Sequence, residues 1–289
     1  MKLLRLATIA ALSTTVLAGG ASAVFANEVR DVTTEGQIEF RPAGEEDGEL
    51  EVIPPETGPD APDVEIDPEE EGTTGPLSIM KAATMNFGTQ IISNQDQTYN
   101  MVAEMARLAN PEADGPTHVP YVSFAQVQDL RGTNAGWDLQ VSLSDFESET
   151  QNKILTGAEI ELVDSRIQYE GTTATNAPTA HAAGLKLIPN GAARSVMTAE
   201  KEKGAGASSV VWGNQATLNA QFAKEDFDPE EDVVENDAIK LFIPGSTAKD
   251  ATTYKSTLSW ELTTTPGEDG PEDIDPEDID PEDIDPEDE

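Results

Sequence analysis

Short runs in the middle of the chain alternate apolar and polar residues with period two. That pattern puts every second side chain on one face and marks strands with one buried side. Residues 139–143 (LQVSL), 158–162 (AEIEL), 185–188 (LKLI), 239–243 (IKLFI) and 258–262 (LSWEL) show it, and 77–79 and 36–40 are shorter cases. Clusters of Gly, Pro, Asn, Asp and Thr separate the runs and mark turns. Helical spacing is scarce: residues 99–110 (YNMVAEMARLAN) are the one candidate, closed by Pro111. The Ala/Gly-rich residues 199–209 read as a mobile loop. Many short strands without alternating long helices predict an all-β fold. The expected form is a single antiparallel, β-sandwich-like domain with at most one short helix.

Charge changes the picture at both ends. The 289 residues carry 56 acidic and 17 basic side chains, a formal net charge of −39. Thirteen acids lie in residues 42–72 and 14 in residues 267–289, and neither segment holds a basic residue. Proline and glycine interrupt the first, and the second repeats PEDID three times from residue 271. Such segments bury too little apolar surface to offset chain entropy, and their like charges repel. The expected layout is an N-terminal strand and disordered acidic linker over 27–72, the β domain over 73–266, and a disordered acidic tail over 267–289. The domain itself keeps 25 acids and 13 basic residues, an ordinary balance.

Residues 1–26 read as an export signal. Lys2 and Arg5 precede an apolar stretch from Leu6 to Ala18, and the small residues after it suit cleavage following Ala26 or Ala23. The stretch is shorter than the roughly 20 residues a spanning helix needs, and no transmembrane segment is expected in the mature chain. Without cysteine there is no disulfide framework, thiolate metal site or catalytic thiol. The acid excess argues against nucleic acid as a partner, since phosphate binding rests on clustered Lys and Arg.

Catalytic patterns are missing as well. There is no G-x-S-x-G, H-E-x-x-H or P-loop, and KGAGASS at 203–209 shares with a phosphate loop only its glycines. His118 and His181 sit in loop-like contexts and read as surface histidines. The acidic run DFDPEEDVVEND at 226–237 lacks the ordered ligand spacing of a calcium loop and reads as a solvated charge run. No cofactor, metal or catalytic residue is expected. A polysaccharide hydrolase needs only two carboxylates at a set distance, so 56 acids leave that alternative undiscriminated.

Three tryptophans carry the remaining information. Trp137 and Leu139 in GWDL, and Trp260 and Leu262 in YKSTLSWELTTTP, form two Trp-x-Leu motifs on period-two backgrounds. The second is flanked by Tyr254, Leu258 and Pro266. With Gly75-Pro-Leu77-Ser-Ile79 and Met85-Asn-Phe87-Gly88 upstream, the pattern over residues 33–266 resembles the WxL domain family of Gram-positive surface proteins, in its small, domain-only form. The resemblance implies a secreted, non-enzymatic protein on the cell surface that associates non-covalently with the cell wall. Peptidoglycan or another wall polymer is the implied ligand, and other WxL proteins and a membrane-anchored protein are implied partners. An adhesin or scaffold whose main partner is another surface protein is the alternative. The motif tryptophans have two readings: stacking surfaces for sugars, or core residues in a same-face apolar row with Leu139, Val141 and Leu143. Trp212, in VVWGNQ, lacks the following Leu and is a candidate exposed aromatic.

Overall fold

The computed structural model describes residues 37–42, 51–59, 61–66, 72–113, 115–229 and 231–264. The export signal (1–26), Pro266 and the acidic tail (267–289) lie outside the described residues. Residues 37–40 belong to a separate N-terminal unit, and the fold below is that of the unit beginning at Arg41.

The period-two runs do become strands. Numbered in chain order, the described strands pair antiparallel into four sheets. The first contains β1 (Val64–Glu65), β4 (Glu104–Leu108) and β5 (His118–Tyr121), in that order. The second runs β2 (Leu77–Lys81), β6 (Ser123–Asp129), β13 (Gly206–Trp212), β9 (Arg166–Tyr169). The third runs β11 (Leu185–Leu187), β8 (Glu159–Leu162), β14 (Glu235–Ile243), β3 (Gln97–Val102). The fourth runs β10 (Thr179–Ala180), β12 (Arg194–Ala199), β7 (Trp137–Leu143), β15 (Leu258–Thr264). The fold is therefore all-β and antiparallel, with four sheets where a simple sandwich has two.

The main core draws on the buried faces of β7, β8, β12, β13 and β14, with Trp137, Leu139, Ile160, Met197, Trp212 and Ile239 among its largest members. A second cluster gathers Val52, Val64, Met80, Tyr121, Phe124 and Leu218. Burial of the Tyr121 phenol pushes its ionisation well above the ordinary tyrosine value. Its hydroxyl is held by the amide of Glu56 at 3.1 Å.

Three expectations are corrected. Residues 99–110 are not a helix but β3 and β4, joined through Ala103. Met101, Met105 and Leu108 do have helical spacing, but ladder partners in β14, β1 and β5 outweigh that local preference. The one α-helix among the described residues, α1 (Gln215–Phe222), escaped the helical spacing because its apolar residues, Ala216, Leu218, Ala220 and Phe222, fall at every second position. It is started by Asn214, whose side chain accepts the Thr217 amide at 3.0 Å. Of residues 199–209, Ala199 ends β12, 200–205 are a loop with a turn at 201–202, and from Gly206 the chain forms β13, held between β6 and β9. Small residues fit there because neighbouring strands crowd both edges, and Ser208 and Ser209 are buried. Residues 37–40, expected to be a strand, carry no strand pairing, and Ile38 and Phe40 are exposed.

The acidic linker departs furthest from expectation. Its described residues include Val52, Pro55 and Val64, all buried. Gln126, buried on β6, brackets Ile53: its amide oxygen accepts the Ile53 N–H at 3.0 Å, and its NH₂ donates to the Ile53 carbonyl at 2.8 Å. Arg166 pairs with Glu56, and β1 adds to the edge of β4 through Val64↔Leu108 and Glu65↔Arg107. A few apolar residues among the acids thus find a groove, and one side-chain amide supplies the hydrogen bonds a sheet neighbour would give.

Candidate functional site

The two Trp-x-Leu motifs lie on neighbouring strands. β15 pairs antiparallel with β7 so that Leu262 is opposite Leu139, Trp260 opposite Val141, Thr264 opposite Trp137 and Leu258 opposite Leu143. Period two puts Trp and Leu of each motif on one face, and this register puts both motifs on the same face. The sequence fits that arrangement because each motif occupies alternate positions of its strand.

The environments of the three indoles differ. Trp137 is fully buried, and its Nε1 donates to the Gly204 carbonyl at 3.1 Å. Gly204 has φ of +74°, and a Cβ there would lie 2.7 Å from that same indole nitrogen, so only glycine allows the approach. Trp212, expected as an exposed aromatic, is instead fully buried in the main core. Its ring centroid lies 6.3 Å from that of Trp260. Trp260 is only half-buried, and β15 is an edge strand. It is the single tryptophan of the chain with indole surface left for a ligand.

His181 is also not a free surface residue. Its Nε2 accepts the Trp212 Nε1–H at 2.9 Å, and its Nδ1 donates to the Ala182 carbonyl at 2.7 Å. The two rings stack with centroids 6.1 Å apart. Only the neutral imidazole can accept from Trp212. Burial lowers the His181 pKa, against the opposing pull of the Ala182 carbonyl and of Asp164. A folded-state value below the unfolded one means that this stability is complete above about pH 6.5, the ordinary histidine value. It is lost as pH falls from there through the folded-state value. The melting temperature is therefore expected to drop on mild acidification, and His181→Gln should flatten that drop; a wild-type melt indifferent to pH in this window would remove the bond's role. His118, by contrast, is exposed at the start of β5, opposite Arg107, with its Nδ1 3.0 Å from the Thr117 hydroxyl.

The flanking motif residues position the approach to β15. The Tyr254 hydroxyl donates to the Asn152 carbonyl at 2.7 Å and accepts the Asp250 amide at 3.0 Å. Asp250 in turn accepts from the Asn152 amide at 2.8 Å and from its side chain at 2.7 Å, and these bonds hold its carboxyl below the ordinary range. Tyr254 therefore ties the segment before β15 to the loop at 152. Leu258 is half-buried against the core. The upstream Phe87 is buried in the core, and Gly88 turns the chain at φ of +65°. Among the described residues, no group of three or more His, Cys, Asp or Glu side chains converges on a common point. No helix among them is long and apolar enough to cross a membrane.

These features define an antiparallel β domain whose paired Trp-x-Leu strands build one wall of its core and leave a single indole at an edge. The chain belongs to the WxL domain surface cell wall-binding family, whose model matches residues 27–266. The match takes in the strap at 51–66 as well as the body of the domain. No match is found among curated proteins or among solved structures. As a member of that family the protein is a surface protein associated with the cell wall.

Proposed function

We propose that the protein is an exported, non-enzymatic surface protein that holds non-covalently to the Gram-positive cell wall through peptidoglycan, with Trp260 as its sugar-stacking surface. One observation carries this reading of the site: Trp137 and Trp212 are wholly inside, while Trp260 keeps part of its ring at the surface of the edge strand β15. An indole face offers a flat apolar platform with a polar edge, which suits the apolar face of a sugar ring. Binding of this kind relies on stacking and hydrogen bonds, because a protein with net charge −39 is repelled by anionic wall polymers.

The open edge of β15 favours a second reading, in which another surface protein adds a strand there and wall contact is indirect. Sedimentation of the purified protein with purified peptidoglycan, and no other protein, separates the readings. Co-sedimentation is expected. Its absence would transfer the role to a protein partner, and release of soluble glycan fragments would make the protein a hydrolase.

A further inference from the structure

A cleft of about 660 Å³ opens between residues 85–92, which lack regular structure, and the segment 249–256 that leads into β15. Leu258 lines it. Alternation puts Leu258 and Trp260 on one face of β15, about 7 Å apart along the strand. The cleft therefore begins beside the exposed indole, and its volume is that of a pocket for a small ligand or a sugar unit.

The lining has two parts. Its floor is apolar and partly aromatic: Phe146, Ile160 and Leu241 belong to the core, and the half-buried Tyr99 and Tyr254 add ring surface. Its rim is polar. Thr89, Thr252 and Thr253 are exposed, and their hydroxyls have no hydrogen-bond partner among the described residues. Asn86 accepts the Gly88 amide at 2.9 Å through Oδ1, and Gln90 donates Nε2 to the Phe87 carbonyl at 2.8 Å, so the other half of each amide is left for a ligand. A floor of rings inside a rim of hydroxyls and amides suits a pyranose, which has an apolar C–H face and polar edges.

One side of the rim is fixed in advance. The Lys249 ammonium donates to the carbonyls of Ser93, Pro244 and Thr247, and the Asp250 carboxylate accepts from Asn152, so the loop carrying Thr252 and Thr253 is tied at its start. Fixing that loop lowers the entropy lost when a ligand binds. A peptide strand finds less to hold there, because the Lys255 amide and carbonyl are both bonded to Glu147, at 2.8 and 2.7 Å. Lys249 and Lys255 against Asp250 leave the lining one positive charge in excess, in a chain of net charge −39. The Lys255 ammonium is exposed and forms no ion pair among the described residues. That corner favours an anionic substituent.

We propose that the cleft binds an N-acylated amino sugar bearing a carboxylate, its ring over Tyr99 and Tyr254, its hydroxyls toward Thr252 and Thr253, and its carboxylate toward Lys255. Ile91 and Ile92, exposed on the rim, give apolar contact to the acyl methyl. The proposal rests on the reading of the wall ligand as peptidoglycan, whose lactyl-substituted sugar has this chemistry, and adds to Trp260 a second subsite.

The test is a titration of the isotope-labelled full chain with N-acetylmuramic acid, followed through its amide resonances. Shifts are expected at 85–92 and 249–256. Thr252→Val/Thr253→Val should weaken them about tenfold, as two neutral hydrogen bonds are lost. Both positions are exposed, so the melt should stay that of wild type. N-Acetylglucosamine, without the carboxylate, should bind about threefold more weakly, as should N-acetylmuramic acid to Lys255→Gln, and high salt should erase both differences. Glucuronic acid, a carboxylate sugar without the acyl group, should bind more weakly than N-acetylmuramic acid. Trp260→Leu should leave the cleft shifts in place. Shifts confined to the surroundings of Trp260, no shifts at all, an unaffected threonine variant, glucuronic acid binding as tightly, or a wall stem peptide that perturbs the cleft where the sugar does not would each overturn the proposal. Sedimentation with peptidoglycan keeps the two readings apart: sedimentation without cleft shifts removes the subsite alone, and cleft shifts without sedimentation remove the peptidoglycan reading alone.

Discussion

Trp137→Ala is expected to cost about 3–5 kcal/mol, the usual range for removing a buried aromatic. That is a large share of the roughly 5–15 kcal/mol that holds an ordinary domain together. Two losses combine. The cavity opens beside Leu139 and Ala199, where β7 is paired on both edges and has little freedom to collapse. The Gly204 carbonyl also loses its indole donor while remaining buried. Denaturant unfolding should show a midpoint shift at constant slope. Trp137→Phe, which keeps most of the volume but not the hydrogen bond, should fall between alanine and wild type. A Trp137→Ala protein as stable as wild type would mean that the first motif is not a core element.

The second large effect is expected at Asn236. This residue lies inside the acidic run at 226–237 that reads as solvated, yet it is buried on β14, and Val234 two positions before it is buried too. The pairing of β14 with β3 shifts register between Asn236 and Lys240, which leaves a bulge. The Asn236 amide services it: its Oδ1 accepts the Ala238 N–H at 3.2 Å, and its Nδ2 donates to the Trp212 carbonyl at 3.2 Å. Asn236→Leu leaves both backbone groups unpaired at about 1–3 kcal/mol each, so roughly 2–6 kcal/mol in total. The neighbouring Asp237 is exposed, and Asp237→Ala should stay within about 0.5 kcal/mol. Similar costs at the two positions would show that the run is solvated after all.

The contrast between Asn236 and Asp237 shows where reading the sequence stops. Strands such as β7, β8, β14 and β15 were legible because one buried face imposes period two on their residues. β13 was not, since Gly206-Ala207-Ser208-Ser209 carries no apolar contrast and owes its strand to β6 and β9 on either side. The strap was hidden for a similar reason. Its order depends on Gln126, 73 residues from Ile53, and on Tyr121, 65 residues from Glu56, so nothing local opposes the disorder that its acids and prolines suggest. The Trp-x-Leu pair was visible as a motif, but its register was not. Which indole is internal depends on partners such as Gly204 and His181, which only the fold brings near.

The proposed division of labour assigns Trp137 to the core and Trp260 to the wall. It is tested most directly by co-sedimentation of Trp260 variants with purified peptidoglycan, each checked by its melt. Trp260→Leu keeps an apolar side chain against Trp212 but removes the flat face, and Trp260→Phe restores a ring. The expected result is that the leucine variant loses binding with little change in melting temperature, while the phenylalanine variant recovers most of it. A leucine variant that melts like wild type and still binds peptidoglycan as wild type does would contradict the account.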